Sequence, residues 1–176
     1  MMLQSEVGSI KVKQITRMAI LTTVSLIIFI VEAQIPPVVP VPGIKIGLSN
    51  VITLIVLAFF GRREALVVLM LRIILGSIFT GTPLSFIYSL SGGLLCYVTM
   101  SLLFNFFKGN TFWVLSVLGA ISHNIGQIAV AVFVTATWQT ALYLPVLIIS
   151  AVITGTFTGL IAQAIIEKKD HISGKK

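Results

Sequence analysis

Acidic residues are scarce in this sequence. Its 176 residues include five acids against twelve lysines and arginines, and the single aspartate, Asp170, lies near the end. Magnesium–diphosphate chemistry needs clustered carboxylates, so the sequence offers no such site. One cysteine, Cys96, excludes an internal disulfide and a cysteine-based metal site. A G-x-x-x-x-G-K-[ST] segment is also missing, which excludes ATP hydrolysis of the usual kind. We therefore expect a protein that is not an enzyme, with no catalytic residues, metal or cofactor.

Charge of either sign is also rare. Only 10% of the residues are charged and 57% are apolar, and the mean hydropathy is +1.09. This composition is typical of a polytopic membrane protein embedded in the lipid bilayer. The net charge of +7 then indicates cytoplasmic loops rather than nucleic-acid binding.

The apolar runs predict an all-α protein with six transmembrane helices. Short polar or glycine-containing breaks separate the runs, and we expect one transmembrane domain, 16–166, between cytoplasmic tails at 1–15 and 167–176. The predicted helices cover about 16–34, 47–60, 63–80, 83–106, 111–137 and 140–166.

The distribution of basic residues predicts the orientation. With six spans and a cytoplasmic N-terminus, ten of the twelve basic residues fall on the inner side. Lys45 alone lies outside, and Arg72 lies within helix 3. Positive residues are retained in the cytoplasm, so we expect a multi-pass protein of the plasma membrane with both termini cytoplasmic.

A proline-rich stretch between helices 1 and 2 organises the outer side. It holds four of the six prolines between Pro36 and Pro42, and these forbid a continuing helix. The run after it, 47–60, is only about 21 Å long as a helix, against a hydrocarbon core of about 30 Å. We expect this loop to dip toward the membrane above a cavity, because irregular backbone at that depth is otherwise not tolerated.

Polar residues within or beside the spans form the candidate site. Arg72 lies about nine residues into helix 3, too deep to reach water comfortably. The predicted topology places the others in the middle or outer half of the membrane: Glu32, Lys45, Asn50, His123, Asn124 and Gln127.

Two interpretations of these residues remain open. In the first they form an internal network, with Arg72 paired with Glu32 and the helix 5 residues bonded to neighbouring helices. In the second they line an outward-opening pocket for a small ligand with a carboxylate or phosphate and an apolar body. His123 alone is more often a satisfied buried histidine than a ligand contact.

Small residues mark two packing faces. Gly155 and Gly159 form a G-x-x-x-G pair in helix 6, and Ala19 and Thr23 form a small-xxx-small pair in helix 1. Internal helix packing is the simpler interpretation for each pair, and docking of a membrane partner is the alternative.

The segments Pro42-Gly43-Ile44-Lys45-Ile46-Gly47-Leu48-Ser49-Asn50 and Ser122-His123-Asn124-Ile125-Gly126-Gln127, with mid-span Arg72, resemble the Gx transporter family. Its members are often labelled heptaprenyl diphosphate synthase component I. The resemblance covers about residues 12–166. This family in turn resembles the substrate-binding S components of energy-coupling factor (ECF) transporters.

The resemblance implies a six-helix binding subunit that takes up a small anionic nutrient or cofactor precursor. A flavin, a quinone precursor, a vitamin or a prenyl phosphate all fit that description. An ECF transmembrane coupling subunit, docked at Ala19 and Thr23, and separate ATPase subunits are the implied partners, although Thr23 replaces the usual alanine. The alternative is a non-catalytic membrane subunit of heptaprenyl diphosphate synthase or isoprenoid-quinone biosynthesis.

Overall fold

The computed structural model describes residues 2–36, 45–81, 83–107 and 111–172, with side chains from Val12 to Lys169. Within these ranges the chain is all α-helical apart from short connections, which confirms the predicted fold class. The elements in order are α1 (Met2–Glu32), α2 (Asn50–Phe59), α3 (Arg62–Thr80), α4 (Pro83–Leu103), α5 (Phe112–Thr135), a 3₁₀-helix (Trp138–Tyr143) and α6 (Leu144–Ile172).

Several helix boundaries differ from the sequence prediction; α4 ends at Leu103 rather than 106, and α6 begins at Leu144, after a 3₁₀-helix, rather than at 140. Helix α1 begins at Met2 rather than near residue 16, and α6 continues to Ile172 beyond the predicted end at 166. The polar ends of both helices contain no proline to stop them, so the backbone stays helical where the hydrophobic run has finished. Helix α2 begins at Asn50, three residues later than predicted. The proline-rich loop prediction falls largely on residues 37–44, outside the described ranges.

Helix α2 is the centre of the bundle. All residues from Asn50 to Leu57 are buried, and α2 contacts each of the other five α-helices. The remaining helices pack around it in the order α1, α3, α4, α5, α6. A helix that is apolar around its whole circumference belongs in such a position, and α2 reads Val51-Ile52-Thr53-Leu54-Ile55-Val56-Leu57.

Glycines allow α5 and α6 to approach closely. A Cβ atom added at Gly155 would lie 2.7 Å from Val117 Cα, and one at Gly159 would lie 2.6 Å from Trp113 Cα. Larger side chains at these positions would separate the two backbones. The interpretation of this pair as internal packing is therefore confirmed.

Among the described residues, four helical segments are long and apolar enough to cross a membrane: Val12–Glu32, Pro83–Leu103, Phe112–Thr135 and Trp138–Lys169. Helix α2 has only ten residues, and α3 carries Arg62, Arg63, Glu64 and Arg72. Large apolar side chains cover much of the outer surface; Phe133 is 86% exposed and Ile78 70% exposed. An apolar exterior of this kind is matched to lipid rather than to water, so the chain is membrane-embedded.

Candidate polar ligand site

Four of the predicted site residues meet around one small cavity at the N-terminal end of α2. Glu32, Lys45, Arg72 and His123 line it together with Phe29, Gly47, Ser49 and Ser89. The cavity has a volume of about 10 Å³, enough for about one water molecule. The site is therefore closed in this structure, with its charged groups already assembled.

The turn that leads into α2 gives the site its shape. Gly47 has a φ of +87°, which L-residues with side chains rarely adopt. A Cβ atom added there would lie 2.9 Å from Asn50 Nδ2 and 3.0 Å from His123 Cδ2. Glycine is thus required both for the backbone conformation and for the contact between this turn and α5.

Arg72 crosses from α3 to the start of α2. It is 1% exposed, and its two terminal nitrogens donate to Ser49 Oγ at 2.5 Å and to Asn50 Oδ1 at 3.2 Å. Its Nε has no hydrogen-bond partner among the described residues. A guanidinium deep in an apolar bundle is costly unless a counter-charge and further hydrogen bonds accompany it.

Glu32 supplies the nearby negative charge, but it does not pair with Arg72 directly. The Gly47 backbone N–H donates to Glu32 Oε1. No hydrogen bond between Glu32 and Arg72 occurs in the described part of the chain. The predicted internal Arg72–Glu32 pair is wrong in this respect, because the N-terminal turn of α2 lies between the two side chains.

Lys45 precedes this turn and covers the cavity. Its backbone N–H donates to Gln127 Oε1 at 3.2 Å, and its Nζ lies 3.4 Å from the centre of the Phe29 ring. Such cation–π contacts stabilise a partly desolvated ammonium. Burial lowers the pKa of Lys45 to about 8 although Glu32 opposes the shift, so the side chain remains mostly charged at pH 7.

The polar run of α5 divides between two faces. His123 and Gln127 are four residues apart and both face the site. The His123 ring packs against Gly47 and Gly92, and neither of its nitrogens has a hydrogen-bond partner among the described residues. Asn124 points away from the site and donates to the Leu147 carbonyl of α6 at 2.7 Å. Asn124 therefore joins two helices in this structure, as the internal-network interpretation expected for it.

Two lining residues were missed by the sequence analysis. Phe29 lies one helical turn before Glu32, so it shares the same face of α1. Ser89 is a polar residue within the apolar run of α4, and this position could have identified it from the sequence.

The site contains more polar atoms than it satisfies. Buried atoms without a hydrogen-bond partner in the described residues include Glu32 Oε2, Lys45 Nζ, Asn50 Nδ2, Arg72 Nε, Ser89 Oγ and Gln127 Nε2. Buried polar groups in proteins are nearly always hydrogen-bonded. Most of these unsatisfied atoms are donors, which is the chemistry that recognises a carboxylate or a phosphate.

A surface groove lies next to the closed cavity. It has a volume of about 400 Å³, and Lys45 borders both spaces. The groove runs between the C-terminal ends of α1 and α3 and the start of α4, and its other lining residues are Ile30, Ala33, Gln34, Phe79, Thr80 and Ser85. A larger groove of about 710 Å³ near Ser77 and Pro83 is lined, as far as the structure describes it, by uncharged residues, which offer an anion no charged partner.

A second surface groove includes the predicted docking residues. Ala19 and Thr23 are both exposed on α1. They line a groove of about 450 Å³ whose other members are mostly apolar: Ile15, Met18, Thr22, Val67, Leu71 and Leu75. The described residues contain no group of three or more potential metal ligands.

The fold and the site together define an α-helical membrane protein whose helices enclose a charged polar cluster. A sequence model of the family described as heptaprenyl diphosphate synthase component I matches residues 21–165, and the chain belongs to that family. Neither a curated protein nor a solved structure matches the chain.

Proposed function

We propose that the protein is a non-catalytic membrane subunit that binds a small anionic ligand with an apolar body, as an S-component-like subunit of an ECF-type uptake transporter. The observation that carries this proposal is the cluster of buried, incompletely satisfied donors around Arg72, which is 1% exposed. A purely structural network would leave few such atoms unpaired.

The two adjoining spaces suit the two parts of such a ligand. Arg72, Lys45 and Asn50 would hold the acidic group near the start of α2, with His123 and Gln127 beside it. The groove between α1, α3 and α4 would hold the apolar body, since Ile30, Ala33 and Phe79 line it. Entry would require Lys45 to move, because this side chain separates groove and cavity.

We further propose six spans in the plasma membrane, with both termini cytoplasmic. Helix α2 measures about 15 Å, too short to cross alone, but its buried position lets the surrounding helices complete the span. Contacts between Gln14 and Glu64, and between Lys169 and Phe59, bring the start of α3, the end of α2, the last turn of α6 and the first half of α1 to one end of the bundle. The site lies toward the opposite end, which the distribution of basic residues predicts to be external.

The exposed groove at Ala19 and Thr23 is proposed to dock the coupling subunit, with ATPase subunits attached to that partner. Small side chains allow another helix to approach closely, and the groove is largely apolar. Replacing Ala19 with tryptophan should weaken this association and leave ligand binding unchanged, because Ala19 is exposed and outside the site.

A second candidate function is that of an accessory subunit of heptaprenyl diphosphate synthase. The description of the matching family favours it directly. A prenyl diphosphate is also anionic with an apolar body, so the site chemistry fits both functions. The two differ in access: an uptake subunit binds from outside, whereas a cytoplasmic diphosphate enters from the basic inner end.

The test begins with mass spectrometry of small molecules that co-purify with the full chain in mild detergent. The identified compound is then added to right-side-out and inside-out vesicles carrying the protein. Uptake predicts binding to right-side-out vesicles. Binding only to inside-out vesicles, with a prenyl diphosphate as the compound, would establish the second function instead.

A further inference from the structure

The turn that leads into α2 holds a carboxylate of the chain itself, that of Glu32. The first three N–H groups of α2 donate to carbonyls of the preceding turn, 47–49, so the turn and not the helix itself meets the carboxylate. The N–H of Gly47 in this turn donates to Glu32 Oε1, and backbone N–H groups in turns commonly bind anions. Helix α2 has ten residues and is the most enclosed helix in the bundle.

Side chains around the turn show independently that a ligand fits there. Arg72 Nε and Asn50 Nδ2 are unpartnered, and their residues are 1% and 4% exposed. Arg72 lines the same cavity as Glu32, and its other two nitrogens donate hydrogen bonds to Ser49 and Asn50. The site therefore offers more donors than one glutamate uses.

We propose that Glu32 occupies the anion site of the empty protein and that the carboxylate or phosphate of the ligand displaces it from the start of α2. Glu32 lies in the last turn of α1, beside the groove lined by Ile30, Ala33 and Gln34. Its displacement would exchange one anion for another on the same donors. The cavity of about 10 Å³ is small because the side chain of Glu32 already fills the position.

This inference rests on the proposed function, and it deepens that function by assigning Glu32 as a competitor rather than a ligand contact. A competing side chain lowers the apparent affinity, because the ligand binds only to the fraction of molecules in which that side chain is displaced. Removal of the Glu32 carboxylate should therefore expose an anion site that small anions fill.

The experiment measures thermal unfolding of the detergent-purified full chain in sodium chloride, sodium acetate and sodium phosphate at equal ionic strength. Glu32→Ala should melt below the wild type in chloride, and acetate or phosphate should raise its Tm by about 3 °C or more. The wild type should respond by less than about 1 °C, because its site is occupied. Glu64→Ala is the matched control, since the half-buried Glu64 accepts a hydrogen bond from Gln14 and does not line the site.

Rescue of Glu32→Ala by either anion supports the inference, and the better anion indicates whether the site prefers a carboxylate or a phosphate. Equal responses of Glu32→Ala, Glu64→Ala and wild type would overturn it. If Glu32→Ala does not fold, Glu32→Gln serves in its place, because a neutral amide is displaced by anions more readily than a carboxylate. Its Tm must then rise in acetate or phosphate, and the absence of any rise would overturn the inference.

The outcome separates this inference from the proposed function. Anion rescue of Glu32→Ala combined with unchanged co-purification of the natural compound by Arg72→Ala would retain the anion site and refute the ligand pocket. Co-purification lost in Arg72→Ala without anion rescue of Glu32→Ala would retain the pocket and refute the role of Glu32.

Discussion

The two ends of the bundle carry positive charge in different ways. At one end Arg62, Arg63, Lys168 and Lys169 are exposed, where water and salt surround them. Toward the other end Arg72 is buried, and Lys45 lies half-buried over an aromatic ring. Exposed charges contribute little to stability. A buried arginine is expensive, and the protein keeps it beside unsatisfied donors rather than in a complete internal network.

The difference separates the charges that the proposed topology uses for orientation from those that the proposed site uses for a ligand. The exposed end is tied together by peripheral contacts, such as Tyr97 Oη donating to the Arg62 carbonyl at 3.0 Å. The buried end is organised around a single turn, since Arg72, Glu32 and Lys45 all gather at the start of α2. Substitutions at the buried end should therefore change ligand binding, and those at the exposed end should not.

The largest effect on stability is expected for Gly47→Ala. A side chain at φ +87° is strained, and its Cβ would approach Asn50 and His123 within about 3.0 Å. We expect a loss of about 2–4 kcal/mol of stability and at least about a tenfold loss of affinity for the co-purified ligand. Gly81→Ala is the matched control, because Gly81 also has a positive φ, 67°, but no atom lies within 4 Å of its added Cβ. Equal losses in both variants would contradict the role of the turn in the site.

Asn124→Ala should reduce stability without reducing affinity. Its amide donates to the Leu147 carbonyl at 2.7 Å and lies on the face of α5 away from Arg72. Loss of such a buried hydrogen bond costs about 1–3 kcal/mol. Thermal unfolding and ligand titration of one preparation separate the two quantities. A loss of affinity as large as that of Gly47→Ala would mean that Asn124 belongs to the site after all.

Lys45→Ala should have a moderate and salt-dependent effect. The ammonium is close to the groove, so its attraction for an anion is partly screened. We expect a loss of about five- to tenfold in affinity at low salt, and a smaller one at high salt. Lys169→Ala makes an informative comparison, because Lys169 also lies over a phenyl ring, that of Phe59, at 3.8 Å. Lys169→Ala should change affinity by less than about twofold. Equal effects of the two substitutions would contradict the claim that the two ends of the bundle differ in ligand binding.

The smallest effect on binding is expected for Arg62→Gln combined with Arg63→Gln. Both side chains are exposed at the end away from the site, so affinity should change by less than about twofold. The same variant should weaken the proposed orientation, because positive residues favour the cytoplasmic side of a membrane. Reaction of Gln34→Cys and Phe106→Cys with an impermeant reagent, in a Cys96→Ala background, reports the orientation. Labelling of both cysteines from one side in the otherwise unaltered protein would reject six spans.

The sequence predicts most of the helices because recognisable helix-ending or polar residues separate its apolar runs. Gly61-Arg62-Arg63 and Gly81-Thr82-Pro83 interrupt apolar runs with residues that end helices or prefer water, and α3 lies between them as predicted. The predicted α1 begins too late and the predicted α6 ends too early, because hydropathy marks where the apolar run stops and not where the backbone stops being helical.

The site was predicted only in part. Depth within a span identified Arg72, and the start of α2 identified Asn50, and these two side chains are in contact. The sequence did not show in which direction each side chain points. Neighbouring residues of a helix are separated by about 100°, so His123 and Asn124 face different partners. The backbone N–H of Gly47, which donates to Glu32, could not be predicted from side chains, because its position depends on the conformation of Gly47 and on how α1 packs beside α2.

The most direct test of the central claim is the affinity of Arg72→Ala for the co-purified ligand, measured with its melting temperature. Removing one member of a desolvated charged interaction costs about 2–5 kcal/mol of binding, so affinity should fall by at least about thirtyfold. Some loss of stability is also expected, because Ser49 and Asn50 lose their donor. The claim predicts that the folded Arg72→Ala protein binds poorly even well below its melting temperature. Unchanged affinity in a destabilised Arg72→Ala protein would contradict it and would establish Arg72 as part of an internal network.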